Sequence, residues 1–215
     1  MHKPFHAAGI ALAVLMLAGC GMSPSVQFYT LSSSAAPVGG DATPATAIPS
    51  IGLGPITLPD VVDRPQFVVR TGANEVVIAE EHRWAEPLKS IIPRVIAENL
   101  SHLLGVKQVW SYPQSAADKA DVRVLVDVQR FDSAPGEAAT IDVYWTVHQG
   151  ESASVSGRSL VKEAAGGSGY GMLAAAHSRA LAAVSRDIAA AIRATETAGA
   201  KPSPPAPSTP PAPAP

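Results

Sequence analysis

Cysteine is almost missing from this chain: the single thiol, Cys20, excludes an internal disulfide, and a thiolate zinc site would need several cysteines at close spacing. Charge is scarce too. Only 16% of the 215 residues are charged, 16 basic against 18 acidic, and the net charge of −2 comes without a basic stripe, which removes nucleic acid from the partner classes. Aromatic residues reach 5%, so a core must rely on aliphatic side chains and on helices that pack closely through alanine. Beyond the first twenty residues no run is long and apolar enough to cross a bilayer as a helix. The length accommodates one compact domain with unstructured flanks and is too short for a multidomain enzyme.

What is present begins with a processing signal. Lys3 lies in a short cationic start, and Ala7 to Leu17 (AAGIALAVLML) is an uncharged run of the length of a secretory signal core. It closes in Leu17-Ala18-Gly19-Cys20, which resembles a bacterial lipobox: small residues before a thiol that takes a diacylglycerol. The expectation is a signal peptide over 1–19 and Cys20 as the acylated first residue of the mature chain. At ~0.8 kcal/mol per buried CH₂, several acyl chains make an effectively permanent anchor. Residue 21 is Gly, not the Asp that commonly retains lipoproteins at the inner membrane of enteric bacteria, so an outer-membrane, periplasm-facing location is expected.

Composition divides the rest. Residues 20–47 are rich in Ser, Ala, Pro and Gly and read as a tether, interrupted by a short strand at 26–31 that is expected to dock on a sheet edge. Residues 196–215 are a Pro/Ala-rich tail, with 8 of the 20 prolines after Ala198. Between them, 48–195 read as one domain. Strand-like runs occur at Ile51–Ile56, where Pro55 implies an edge or a bulge, at Gln66–Arg70 and at Glu75–Ala79, the last two joined by a hairpin turn. Asp121–Val128 and Thr140–Val147 alternate around a Pro135-Gly136 turn, and Ser154–Lys162 forms a further strand. In Leu88–Leu104 the apolar residues recur at three- and four-residue spacing and Gly105 supplies a stop; Pro93 implies either a cap at Ser90 or a longer helix beginning at Pro87. Tyr170–Ala194 carries a second stripe through Leu173, His177, Leu181, Val184, Ile188 and Ile192. The predicted fold is α/β: a single domain with a mixed or antiparallel sheet, wet on one face and covered on the other by two main helices.

Catalytic chemistry finds little support in the sequence. His82, His102, His148 and His177 show no metal-ligand spacing, no GxSxG elbow occurs, and the cluster Gly166-Gly167-Ser168-Gly169 lacks the Lys and Thr of a phosphate loop. Glu80 and Glu81 are adjacent, so on a strand they point to opposite faces. No catalytic residue, metal or cofactor is expected. Two segments look constrained beyond the needs of the fold. In Asp63-Arg64-Pro65-Gln66 the proline forces Arg64 into an extended backbone, and Arg83-Trp84-Ala85-Glu86-Pro87-Leu88 sets an indole and two opposite charges at a strand-to-helix junction. One reading makes Trp84 a core plug beside an exposed Arg83–Glu86 ion pair. The other makes Arg64, Arg83, Trp84 and Glu86 a partner interface, where Trp and Arg are enriched.

These segments carry a resemblance. Phe28-Tyr29-Thr30-Leu31 behind the lipobox, Ile51-Gly52-Leu53-Gly54-Pro55-Ile56, Leu58-Pro59 leading to Asp63-Arg64-Pro65-Gln66, Arg83 to Leu88, and Pro93 to Leu100 resemble, in order and spacing, the ABC-type transport auxiliary lipoprotein family of the PqiC type. Val61-Val62 departs from the Tyr-Leu usual before Asp-Arg-Pro, and the proline tail is not a family feature. The resemblance implies a non-catalytic, outer-membrane-anchored lipoprotein that works with a periplasm-spanning MCE-domain protein in intermembrane lipid transport, with a homo-oligomeric ring as a possible assembly. A different class of reading is a cell-wall-associated or envelope-activator lipoprotein that uses its Pro-rich tail.

Overall fold

The computed structural model describes residues 25–36, 48–150 and 153–199. The expected signal peptide, Cys20 and the proline-rich residues from 200 onward lie outside the described residues. In chain order the elements are β1 (Gln27–Tyr29), β2 (Ser50–Thr57), β3 (Gln66–Gly72), β4 (Glu75–Trp84), α1 (Leu88–Leu104), β5 (Gln108–Ser111), a 3₁₀ turn (Ala117–Lys119), β6 (Val122–Ala134), β7 (Ala138–Gln149), β8 (Ala153–Ala164) and α2 (Tyr170–Gly199). The eight strands form one mixed sheet, and α1 and α2 pack on it and on each other, α1 over β2 and β5, α2 over β7 and β8.

β6 is the spine. Along one side β7 pairs with it antiparallel from Val122↔Gln149 to Ala134↔Ala138, and β8 follows on β7. The other side is shared: β2 runs parallel to the first half of β6, and β3 meets its far end through Val69↔Ser133. The sheet therefore forks into a β2–β5 arm and a β3–β4–β1 arm. Alternation explains the covered face. Val122, Val124, Val126 and Val128 are buried while Arg123, Leu125 and Asp127 are exposed, and the register shift between Val128 and Arg130 changes the phase so that Phe131 and Ser133 turn inward. Pro55, which the sequence confined to an edge or a bulge, takes the bulge: β2 has neighbours on both sides, and its register with β6 shifts between Leu53 and Ile56.

Both helices bury their predicted stripes. Leu88, Ile91, Ile92, Val95, Ile96, Leu100 and Leu104 of α1 are buried, with Leu103 only partly so. Pro87 stands at the N-cap and Gly105, at φ 69°, ends the helix, its N–H donating to the Ser101 carbonyl at 2.9 Å. A start at Leu88 leaves Pro93 inside the helix, as in the longer of the two expected versions. α2 continues to Gly199, four residues into the predicted tail, and ends before the first proline of that tail, Pro202. β5 and the 3₁₀ turn were not read from sequence: four residues of mixed polarity show no period, and β5 exists because it completes the edge of β2 through Ser50↔Gln108 to Leu53↔Ser111.

The expected edge strand is β1, paired in parallel with β4 through Gln27↔His82 to Tyr29↔Trp84. What composition assigned to the tether is docked further along. Leu31 is buried, and Ser33 to Ala35 cross between the helices: Asn99 Oδ1 accepts from Ser33 Oγ at 2.8 Å and from the N–H groups of Ser34 and Ala35 at 3.2 and 3.1 Å. The Ser32 N–H donates to Ser178 Oγ, and Asn99 Nδ2 to Ser185 Oγ.

Close approach constrains Gly52. A Cβ at this position would run into the backbone carbonyl of Ala117, which a side-chain rotation cannot relieve. Gly52→Ala is expected to cost about 1–3 kcal/mol through overpacking. Urea denaturation checks this, and an unchanged midpoint would mean that the 3₁₀ turn yields freely.

Candidate partner interface

Between the Pro59–Pro65 loop and the start of α1 lies a groove of about 370 Å³, with Arg64 and Pro65 on one side and Ala85, Glu86 and Pro87 on the other. The loop is held by main-chain bonds: the N–H groups of Val62 and Asp63 donate to the Pro59 carbonyl at 3.0 and 3.2 Å, and that of Arg64 to the Val62 carbonyl at 2.8 Å. Pro65 then accepts from the Trp84 N–H at 2.7 Å, which ties the loop to the end of β4. Arg64 and Trp84, twenty residues apart in sequence, are thereby brought to one groove.

Trp84 is a core residue, 4% exposed, stacked on Phe67 at 3.9 Å and edge-on to Phe131 at 6.1 Å. Strand alternation sends Trp84 inward, so it can only floor the groove while its neighbours form the rim. The expected Arg83–Glu86 ion pair does not form. Arg83 Nε donates to the Glu80 carbonyl of its own strand at 3.1 Å, while Glu86 Oε1 takes Arg94 at 2.8 Å. Arg83 leaves the strand on the face opposite Trp84, whereas Glu86 lies beyond the strand end, within reach of a helical side chain that leans toward its N-terminus. Asp63 is paired with Lys89 at 2.6 Å. Both carboxylates beside Arg64 are thus already matched, and the buried Arg64 Nε has no hydrogen-bond partner. A guanidinium with free donors at a groove mouth suits a carboxylate, phosphate or carbonyl from another molecule.

Three of the four described histidines, His82, His102 and His177, are engaged within the fold, and His148 is half-buried on β7. His82 stacks on Tyr170 at 3.7 Å and its Nδ1 is 2.9 Å from the Tyr29 hydroxyl, while His102 lies 3.4 Å from Ser33 Oγ. His177 is fully buried, stacked on Phe131 at 3.8 Å, with Nε2 2.8 Å from Ser133 Oγ and Nδ1 unpartnered. An unpartnered buried acceptor costs less than a donor, which favours the tautomer with the proton on Nε2. Glu80 and Glu81 are both exposed, Glu80 accepting from Gln66 at 3.0 Å. On the helix-free face Arg158 grips Asp142 with two bonds of 2.8 and 2.6 Å and holds that carboxyl below the usual carboxylate range. Among the described residues no group of three His, Cys, Asp or Glu is placed to hold a metal ion, and no helix is long and apolar enough to cross a membrane.

The polar junction of Asn99, Ser178 and Ser185 was missed in the sequence, although a signal was there. Asn99 falls on the stripe of Ile92, Val95 and Ile96, and Ser178 and Ser185 border that of α2, so polar residues stood at core-facing positions.

The sequence profile of the ABC-type transport auxiliary lipoprotein component family matches residues 29–189. No curated protein sequence is significantly similar. Among solved structures, the chain is similar to an uncharacterised protein at 19% identity and TM-score 0.63, covering 78% of this chain and 99% of that one. It is also similar to protein XCC0632 from Xanthomonas campestris, of the DUF330 family, at 18% identity and TM-score 0.62, covering 80% and 98%. At these identities the likeness shows a shared fold.

Burial holds the His177 imidazole near pKa 3, against an ordinary 6.5. The unfolded chain therefore takes up a proton below pH 6.5 that the folded one refuses, so the stability linked to His177 is complete above pH 6.5 and is lost progressively toward pH 3. At pH 5 the loss is about 2 kcal/mol. His177→Gln, which cannot protonate, should be less stable at pH 7 yet lose less between pH 7 and 5 in denaturant titrations; parallel curves would show that His177 is not the proton acceptor.

Proposed function

The chain belongs to the ABC-type transport auxiliary lipoprotein family, and from that premise we propose that it is the outer-membrane-anchored, periplasm-facing subunit of an MCE-type intermembrane lipid transport system, acting by docking rather than by catalysis. Family membership makes it a lipoprotein component of a transport system. The finer reading rests on the lipobox ending at Cys20, on Gly21 in place of a retention Asp, and on the groove beside Trp84. The observation that carries docking is Arg64: it lines the groove, and the carboxylates of its neighbours Asp63 and Glu86 are already paired with Lys89 and Arg94, so neither takes up its guanidinium. In this reading Arg64 and Glu86 form the rim that meets the MCE-domain partner. Trp84 acts from beneath by fixing the loop, and Arg83 lies on the adjoining face of β4.

Two measurements test the parts separately. Cys20→Ala should abolish incorporation of labelled palmitate and release the protein from the outer-membrane fraction; normal sorting of the mutant would remove the anchor. Arg64→Glu should leave the circular dichroism melt within about 2 °C of wild type, less than the shift expected from ~1 kcal/mol. It should nevertheless lower recovery of the MCE subunit by ten-fold or more and sensitise cells to detergent. Full recovery with a folded mutant would take Arg64 out of the interface.

A further inference from the structure

The β3–β4 hairpin carries an exposed apolar stretch on its outer strand. Val76 and Val77 are each 45% exposed and Ile78 is 40% exposed, and since successive strand residues face opposite sides, both faces of the outer strand β4 are uncovered there, whereas Val68 and Val69, the partners of Ile78 and Val77 on β3, are buried. Among the described residues β1 pairs with β4 only at His82, Arg83 and Trp84, so nothing described covers the outer edge of β4 before His82. Further up that edge Val26 and Phe28 are exposed.

β1 is parallel to β4, so the chain enters β1 from the side on which the hairpin tip lies. Seven residues separate Cys20 from Gln27, a span of at most ~25 Å. Seven residues also separate Glu75, where β4 leaves the turn, from His82, the register partner of Gln27. An anchor at Cys20 would thus have a reach from the start of β1 comparable to that of the tip, short enough for the tip to meet the bilayer surface.

We propose that the tip of the β3–β4 hairpin, through Val76, Val77 and Ile78, inserts into the interfacial layer of the bilayer that holds the acyl anchor. This rests on Cys20 being the lipidated residue. The charges nearby point to a neutral lipid surface. Glu75, Glu80 and Glu81 flank the apolar triplet, and Arg70 is taken up by Asp132 and by the Ala73 carbonyl of the turn, so attraction to anionic headgroups has no source at the tip. Three partly exposed aliphatic residues bind a bilayer weakly by themselves. The anchor supplies the effective concentration, and the hairpin then fixes the tilt of the domain instead of leaving it to swing on its tether.

The test uses the full-length lipidated protein in phosphatidylethanolamine–phosphatidylcholine vesicles. With Cys20 consumed by the anchor, a cysteine introduced by Val77→Cys accepts one environment-sensitive fluorophore, and Lys119→Cys, at the opposite end of β6, serves as the control. The label at 77 should be blue-shifted and quenched at least three-fold more by nitroxide lipids than the label at 119. A label at the turn, introduced by Ala73→Cys, should lose its lipid quenching when Val76→Ser, Val77→Ser and Ile78→Ser are combined, with the melting temperature unchanged. Water-like emission at 77 on an anchored protein would overturn the proposal. So would a buried label insensitive to lipid quencher that shows energy transfer between copies, which would assign the tip to a second copy of the chain. Intact-mass measurement reads the anchor independently: an unmodified Cys20, or a second fluorophore on it, would overturn the anchor and the hairpin proposal together.

Discussion

The face-to-face stack of Phe67 on Trp84 is the contact on which most of the placement depends. The chain has only four Phe, three Trp and four Tyr, yet Tyr29, Phe67, Trp84, Phe131 and Tyr170 meet around this point. They come from β1, β3, β4, β6 and α2. Each well-placed aromatic pair adds about 0.5–1.5 kcal/mol beyond its burial, and through Phe131 and Tyr170 the cluster joins the β3–β4–β1 arm to β6 and α2, with which that arm shares few backbone hydrogen bonds. β3 in particular touches β6 through a single bridge pair, and the aromatic layer holds the β3–β4–β1 arm against the rest. The position of Trp84 also sets the start of α1 four residues later, and the hydrogen bond from its N–H to Pro65 sets the Arg64 loop. The groove follows from the core beneath it.

A second constraint is polar. Asn99 is fully buried between the helices, and its amide is satisfied by the strap at Ser33–Ala35 and by Ser185. A buried amide without partners costs several kcal/mol in an apolar environment, so the network specifies where the strap must run. This has a mechanical consequence for an anchored protein. The strap and β1 carry the chain from the direction of the anchor directly into the core, so a pull on the N-terminus is borne by the sheet edge and the helix seam. With the proposed anchor at Cys20, only residues 21–26 would separate it from β1.

These features fit a subunit that works by position. Groups that commonly carry catalysis, the histidines and the paired acidic residues, are engaged in stacking, in buried hydrogen bonds or with solvent. Among the described residues, Arg64 brings a guanidinium whose buried Nε has no partner to the lining of the groove. The groove and the hairpin lie on the same arm of the forked sheet, toward opposite ends of β4, so an anchored domain with its tip at a bilayer would hold the groove away from that surface.

The sequence alone determined what depends on period and on local stereochemistry. The two helices, the Gly105 stop, the hairpin before Glu75, the long alternating strands and the docked strand near Phe28 were all legible, because burial repeats every 3.6 or every two residues and turns demand particular side chains. So was the family, through short motifs kept in order. Tertiary structure alone decided the rest. β5 has no period of its own and exists by completing β2; the inward phase after Val128 depends on a bulge; Ser33–Ala35 are ordered by an amide more than sixty residues away; Glu86 chose Arg94 over the nearer Arg83 because a helix brought it within reach. Each of these is settled by partners distant in sequence, and local pattern does not name such partners: Asn99 on a core stripe marks a buried polar group without saying what satisfies it.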